Sequence, residues 1–225
     1  TKNNDMSASK KKNSPTLRQQ IFSGYMTAVL ETEHFPTSVY KFCKELGIGE
    51  EQFYGEFGSL DAVRRQVWTE FFDQTIERIE KDKNYNGYTN REKILSFFYT
   101  FFELLGLNGS YVLFALGSDS QPSRQLAQLG ELRKKVRGYA KSLIKAANEE
   151  KQTKVTRHQP GLFSEGAWVQ MLFLLRFWMK DDSPGFEKTD VAIEKSVNTI
   201  FDIFDNTPLE RVVDFGKFLY KEHMT

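Results

Sequence analysis

The residues that could carry out catalysis are few and scattered. The three histidines, His34, His158 and His223, fall in or near predicted loops or the C-terminus. The single cysteine, Cys43, excludes a disulfide framework and a cysteine-based zinc site. It lies among apolar residues, which predicts simple packing. The sequence also contains no glycine-rich phosphate loop and no histidine pair with metal-ligand spacing. These residues predict neither an enzyme nor a bound cofactor.

Two charged residues interrupt strongly apolar stretches, and they are the next candidates for function. Glu103 lies in the run from Ile94 to Leu105, and Arg176 lies in the run from Trp168 to Met179. Buried charges are usually paired or functional. Glu103 and Arg176 could line a pocket, pair with each other, or face solvent at a helix edge, and the last interpretation is favoured.

Aromatic residues predict a bulky apolar interior, because the chain contains twenty phenylalanines. Pockets for small molecules are mostly apolar with a few polar groups, whereas the default interpretation is that the rings fill the core. A ligand pocket is predicted from ten residues on helices that would pack together: Phe98, Phe101, Phe102, Glu103, Tyr111, Phe114, Trp168, Phe173, Arg176 and Phe177.

The stretch from Thr37 to Trp68 has the spacing of a helix-turn-helix. Thr37 or Ser38 can cap a first helix, and Gly47 stands where a helix ends in a left-handed residue. A second short helix follows, and Leu60 opens a longer third one. Apolar residues recur at helical spacing in each of them.

This stretch resembles the N-terminal domain of the TetR family of bacterial regulators. The matching motifs are Thr37-Ser38-Val39, Phe42-Cys43, Leu46-Gly47-Ile48-Gly49, Phe53-Tyr54, Glu56-Phe57 and Asp61-Ala62-Val63. The resemblance implies a homodimer that binds DNA through the helix-turn-helix and encloses a small hydrophobic inducer in a helical body. It implies DNA contacts by Lys41, Lys44, Gln52 and Tyr54, together with a lysine arm at Lys10, Lys11 and Lys12.

The second helix of the motif departs from a DNA-reading helix in its charge. Four acids (Glu50, Glu51, Glu56 and Asp61) and no lysine or arginine lie between Gly47 and Asp61. Non-specific affinity for DNA comes from lysine and arginine displacing counterions, so these carboxylates oppose it. The helix-turn-helix motif therefore indicates DNA as a partner, whereas the acidic charge of its second helix opposes binding to DNA.

Helical spacing along the chain, with essentially no strand pattern, predicts an all-α protein. Its single cysteine suits the cytoplasm, and its net charge is +1. Residues 1–15 are predicted to be a disordered basic arm, although such arms can also reach phosphates. Residues 16–81 are predicted to form the helix-turn-helix head and its connecting helix. Residues 89–225 are predicted to form a helical domain for ligand binding and dimerisation.

The helical body is predicted to contain helices over Thr89–Leu107, Tyr111–Leu116, Pro122–Asn148, Gly166–Lys180 and Thr189–Asp205, and a last one from Pro208. The family dimerises through two late helices, which implies the pair Gly166–Lys180 and Thr189–Asp205. The implied interface residues are Trp168, Leu172, Leu175, Met179, Val197, Ile200 and Phe204.

A basic helix keeps a second function open. Arg133, Lys134, Lys135, Arg137, Lys141 and Lys145 give the helix after Pro122 a cationic face that could meet a membrane surface or an acidic partner. A solvated face balanced by acids is an equally good interpretation. The alternative function is a TetR-fold protein that no longer binds DNA and instead binds a lipid or isoprenoid and a partner protein.

Overall fold

A computed structural model describes residues 15–117, 126–150 and 160–206 of the chain. All regular structure in this part of the chain is helical, which confirms the predicted all-α fold. The α-helices are α1 (Leu17–Thr32), α2 (Val39–Leu46), α3 (Glu50–Glu56), α4 (Leu60–Glu80), α5 (Asn90–Leu107), α6 (Gly109–Gly117), α7 (Gly130–Glu150), α8 (Pro160–Trp178) and α9 (Glu187–Asn206). Short 3-10 turns lie at Tyr85–Gly87 and Pro184–Phe186.

The chain divides into two compact units between Val63 and Arg64, which is inside α4. We call the first unit the head and the second the body. The division into residues 16–81 and 89–225, which assigns the whole connecting helix to the head, stays a prediction. The lysine arm at residues 10–12 and the predicted helix from Pro208 lie outside the described residues.

Local signals build the head. The Thr16 side chain accepts a hydrogen bond from the Gln19 backbone N–H and caps α1, and Ser38 caps α2 in the same way. Gly47 ends α2 at a φ of 73°, where a residue without a Cβ is favoured. The core of the head is a set of buried rings in edge-to-face contact, including Phe22 against Phe57 and Phe42 against Phe53.

The body packs α7 against α8 and packs α9 against both α5 and α8. The chain bends by 91° between α5 and α6, where Asn108 caps α5 and its side chain donates a hydrogen bond to the Leu104 carbonyl. Among the described helices, none alone is long and apolar enough to cross a membrane, and α5 with α6 reaches that length only across this bend.

A buried carboxamide joins three segments of the body. The Gln128 side chain is 4% exposed. Its oxygen accepts hydrogen bonds from Trp68 Nε1 (3.2 Å) and Arg64 Nε (3.3 Å) on α4, and its nitrogen donates to the Ala115 carbonyl on α6 (2.8 Å). Buried polar groups are stable only when they are paired in this way.

Two predicted helix starts change in the structure, and a third lies outside the described residues. The described part of helix α8 begins at Pro160, six residues before the predicted start at Gly166. The described part of α7 begins at Gly130, whereas its predicted start at Pro122 lies outside the described residues. Thr189 lies inside α9 and does not cap it, because its hydroxyl and backbone N–H both donate to Asp181.

Candidate functional site

The predicted DNA-contacting residues of the head lie on its surface. Lys41 and Lys44 of α2 and Gln52 and Tyr54 of α3 are all exposed, and Tyr54 is 53% exposed although it is aromatic. Cys43, between the two lysines, is buried, and burial raises the pKa of its thiol with a further contribution from the Glu50 carboxylate. Its role is therefore packing, as predicted.

Gln52 has a structural task that its sequence position did not reveal. Its side-chain oxygen accepts a hydrogen bond from the Gly49 backbone N–H at 2.9 Å. This bond satisfies the backbone donor of the residue that caps the start of α3.

One acid of α3 is paired within the head. The Glu56 carboxylate lies 3.6 Å from the Arg18 guanidinium of α1. That guanidinium also lies over the rings of Phe22 (5.3 Å) and Phe57 (4.5 Å). The charge of Glu56 is thus balanced within the head, which reduces its effect on a nearby phosphate.

The other acids leave the head anionic. Glu50 and Glu51 are exposed in the first turn of α3, where negative charge stabilises the helix N-terminus. Residues 15–63 contain three basic and seven acidic side chains, which gives a net charge of −4. The structural benefit of Glu50 and Glu51 therefore comes with an electrostatic cost for binding DNA.

Three of the predicted pocket residues on α5 belong to a close-packed cluster of rings in the body, and Tyr111 on α6 is buried as deeply. Phe98, Phe101, Phe102 and Tyr111 are each at most 4% exposed. The cluster continues through Phe97, whose ring stacks on Phe101 at 5.7 Å. Two others lie less deep: Phe114 is half-buried and Trp168 is 7% exposed.

A tyrosine pair borders this cluster. The Tyr139 ring lies 5.2 Å from that of Phe97, and the Tyr139 and Tyr85 hydroxyls are 2.7 Å apart. Burial, together with this hydrogen bond, raises the pKa of Tyr139 far above its usual range. The pair is therefore neutral at physiological pH.

The other four predicted pocket residues are placed differently. Glu103 and Arg176 are exposed, which agrees with the favoured interpretation that they face solvent. Phe173 is 51% exposed and Phe177 is half-buried, and both line a groove on the outside of α8 and α9. The structure therefore places these two rings on the groove and not among the buried rings, and their contact with a ligand stays a prediction.

This groove, which we call the α8–α9 groove, is mostly apolar and has a volume of about 1080 Å³. Large apolar side chains on it remain exposed: Val169 by 64%, Phe173 by 51% and Val191 by 48%. Small residues, Gly166 on α8 and Ala192 on α9, lie on its wall and allow a close approach of another helix. Exposed apolar patches of this kind mark interaction surfaces.

Three of the predicted dimer contacts lie in the core of one protomer. Trp168, Leu175 and Val197 are at most 7% exposed within one protomer, so almost none of their surface is left to contact a second copy. Leu172 and Met179 are half-buried, Ile200 lines the α8–α9 groove, and the Phe204 side chain lies outside the described residues. Helix α8 is apolar almost all round, so hydrophobic periodicity could not identify its outward face.

The basic helix, α7, uses much of its charge inside the body. Arg133 and Arg137 both bind the Glu165 carboxylate of α8, at 3.1 Å and 2.7 Å. Lys135 pairs with Asp73 of α4, and Lys134 pairs with Glu131 one turn earlier. The sequence could not reveal the two pairs with Glu165, because that residue lies some thirty positions away. They favour the balanced-face interpretation over a membrane-facing surface.

The described residues contain no group of three or more histidine, cysteine, aspartate or glutamate side chains that could hold a metal ion. The described residues combine a helix-turn-helix with an all-helical body that follows it in sequence. Comparison with known proteins identifies the family of the chain. A model described as "Tetracyclin repressor-like, C-terminal domain" matches residues 93–219, more than half of the chain, and the chain therefore belongs to the TetR family of transcriptional regulators.

Solved structures have the same fold. A protein of Syntrophomonas wolfei assigned to the TetR family of transcriptional regulators superposes with a TM-score of 0.61 at 14% identity, covering 81% of this chain and 93% of the other. A protein of Clostridium perfringens assigned as a fatty acid metabolism regulator superposes with a TM-score of 0.50 at 16% identity, covering 79% and 96%. No curated protein matches the chain in sequence.

Proposed function

We propose that this protein is a homodimeric transcriptional regulator that contacts DNA through its head and responds to a hydrophobic small molecule in its body. The observation that carries this proposal is the helix-turn-helix with Lys41, Lys44 and Tyr54 exposed on its surface. Lysine supplies the counterion-displacing contacts that a phosphate backbone requires. The lysine arm, Lys10, Lys11 and Lys12, adds positive charge from outside the described residues.

The homodimer is proposed through the α8–α9 groove. Phe173, Val169 and Val191 are too exposed to be explained by the core of one protomer. In a two-fold interface the same surface meets itself, and an apolar helix pair is self-complementary in this sense. Membership of the TetR family favours a second copy of this chain over another occupant.

The ligand is proposed to bind next to the ring cluster of α5 and α6. Phe98, Phe101, Phe102, Tyr111, Phe114 and Trp168 would supply its apolar contacts. The ligand class is a hydrophobic small molecule or lipid, because rings dominate this part of the body.

A second candidate is a TetR-fold protein that acts away from DNA through a partner protein. The observation that favours it is the net charge of −4 in residues 15–63, with Glu50 and Glu51 exposed on α3. A surface of this charge repels phosphates and suits a basic protein surface. The ion pairs of α7 remove much of the support for a membrane-facing role.

The two candidates differ in how charge changes on the head affect binding to DNA. The assay is binding of the purified protein to random duplex DNA at low salt, repeated as the salt is raised, because low salt maximises the electrostatic contribution. If the protein binds DNA as a regulator, K41A/K44A should weaken this binding. The fall of log K with log salt should also become shallower, by about 2 in the magnitude of the slope. E50Q/E51Q should strengthen binding several-fold.

The matched control is Glu77→Gln, which removes an exposed acid of the body that pairs with Lys81. This variant should bind DNA like the wild type. If the wild type and E50Q/E51Q both fail to bind at low salt, DNA binding by the head is refuted and the second candidate is supported. Extraction of the protein with organic solvent would then test for a co-purified lipid.

A further inference from the structure

A polar pair interrupts the apolar floor of the α8–α9 groove. Gln170 of α8 is only 4% exposed, and its side-chain nitrogen donates a hydrogen bond to the Ser196 hydroxyl of α9 at 2.9 Å. The Ser196 hydroxyl in turn donates to the Ile193 carbonyl at 3.2 Å. Both residues line the groove. Burying a carboxamide costs free energy that an apolar residue of the same size would not, so the fold of the protomer alone does not require it.

The pair lies near the middle of the groove. The lining residues of α8 run from Leu162 to Phe177, and those of α9 run from Lys188 to Ile200. Gln170 and Ser196 are close to the centres of these two ranges. In an isologous dimer, residues near the two-fold axis lie opposite their own copies. A second copy seated in the groove would therefore bring two such pairs close together.

In the described part of the chain, the Gln170 carboxamide makes one hydrogen bond although it has two donors and an acceptor with two lone pairs. Its remaining capacity can be used across a dimer interface. Apolar residues at helical spacing pack nearly as well after a slip of one turn, which is about 5.4 Å. A buried carboxamide does not, because a slipped partner would leave it facing apolar side chains.

We propose that Gln170 and Ser196 set the register of the homodimer. This inference rests on the proposed dimerisation through the α8–α9 groove and deepens it. A single polar residue in an otherwise apolar helical seam can fix register and oligomeric state at a cost in stability. The pair selects one alignment of the two copies, and apolar contacts such as those of Phe173 supply the affinity.

The experiment measures the distance between two identical spin labels in the dimer of the full chain. The label is attached to E194C, on an exposed position of α9 outside the groove lining, in a C43A background. Sedimentation at several concentrations reports the oligomeric state of each sample. The variants are Q170L, which removes the carboxamide, and S196A, which removes its partner with little change in volume. The matched control is T199V, an isosteric change of another polar residue that lines the groove.

We expect the wild type and T199V to be dimers with one narrow distance. We expect Q170L and S196A to remain dimers, to dissociate no more readily than the wild type, and to lose the single distance in favour of a second or a broadened one. A single unchanged distance in both variants overturns the register role but leaves the dimer intact. A monomeric wild type overturns the proposed dimer itself, so the two failures are distinguishable. S196A keeps the test valid if Q170L does not fold.

Discussion

Replacing Phe173 with alanine tests whether the α8–α9 groove holds the dimer together. The ring is 51% exposed in one protomer. Aromatic side chains bury about 150–250 Å² in total, so roughly 100 Å² of Phe173 is still available in each copy. At about 25 cal/mol per Å², complete coverage would contribute about 2.5 kcal/mol per copy, or about 5 kcal/mol per dimer.

The loss expected in F173A is smaller than this upper value. The alanine methyl group keeps part of the contact, and interface atoms are not all fully covered. We expect a loss of about 3 kcal/mol in the free energy of dimerisation, which corresponds to a roughly hundredfold rise in the dissociation constant. Sedimentation over a wide concentration range measures this constant.

The matched control is L107A, because Leu107 is even more exposed, at 69%, but does not line the α8–α9 groove. L107A should dimerise like the wild type. Circular dichroism and thermal unfolding should show that both variants keep the fold of the protomer. If F173A and L107A have the same dissociation constant as the wild type, the groove is not the dimer interface and the reasoning from exposed apolar area is refuted.

Three further changes test individual contacts. Q128L should lower the free energy of unfolding by about 2–4 kcal/mol, because it leaves the buried Trp68 N–H and a buried carbonyl unpaired. The control is Q74L, at a half-buried site whose hydrogen bond stays within its own helix, and it should change this free energy by less than about 0.5 kcal/mol. Urea unfolding measures both values. Although desolvation opposes it, hydrogen bonds from Ser183 and Thr189 lower the pKa of Asp181 in the folded state. The Asp181 carboxylate should therefore stabilise the fold fully above the pKa of the unfolded state, at about pH 4, and this contribution should be lost as the pH falls below that value. The difference in thermal unfolding temperature between pH 7 and pH 3 should then be smaller in D181N than in the wild type. R18A should destabilise the head by about 1 kcal/mol through lost ring contacts, which faster amide exchange in α1 would report and unchanged exchange would contradict.

Much of the head could be predicted from the sequence because its signals are local. Ser38, Gly47 and the ring spacing of α2 and α3 act over a few residues, through capping, a left-handed C-terminus and helical periodicity. The exposure of Lys41 and Lys44 followed from the same periodicity. The pairing of Glu56 with Arg18 did not, because it joins residues 38 positions apart.

The body was predictable in its helices but not in their faces. An amphipathic helix reveals its buried side, whereas α8 has apolar residues in nearly every direction, so the sequence placed Trp168 and Leu175 at the dimer interface and Phe173 in a pocket. In the structure Trp168 and Leu175 are buried within one protomer, and Phe173 is half exposed on the α8–α9 groove. The sequence also presented α7 as a cationic surface, and only the packing of α8 brought Glu165 to it.

The sequence by itself determined the all-helical fold, the helix-turn-helix and the anionic charge of the head, since these depend on residue type and short-range spacing. The tertiary structure decided which charges are paired, which rings are buried, and that Gln170 meets Ser196 beneath an exposed apolar groove. The physical reason is that desolvation and pairing depend on neighbours brought together from distant parts of the chain. The sequence of a helix that is apolar on all sides does not indicate which side its neighbours will cover.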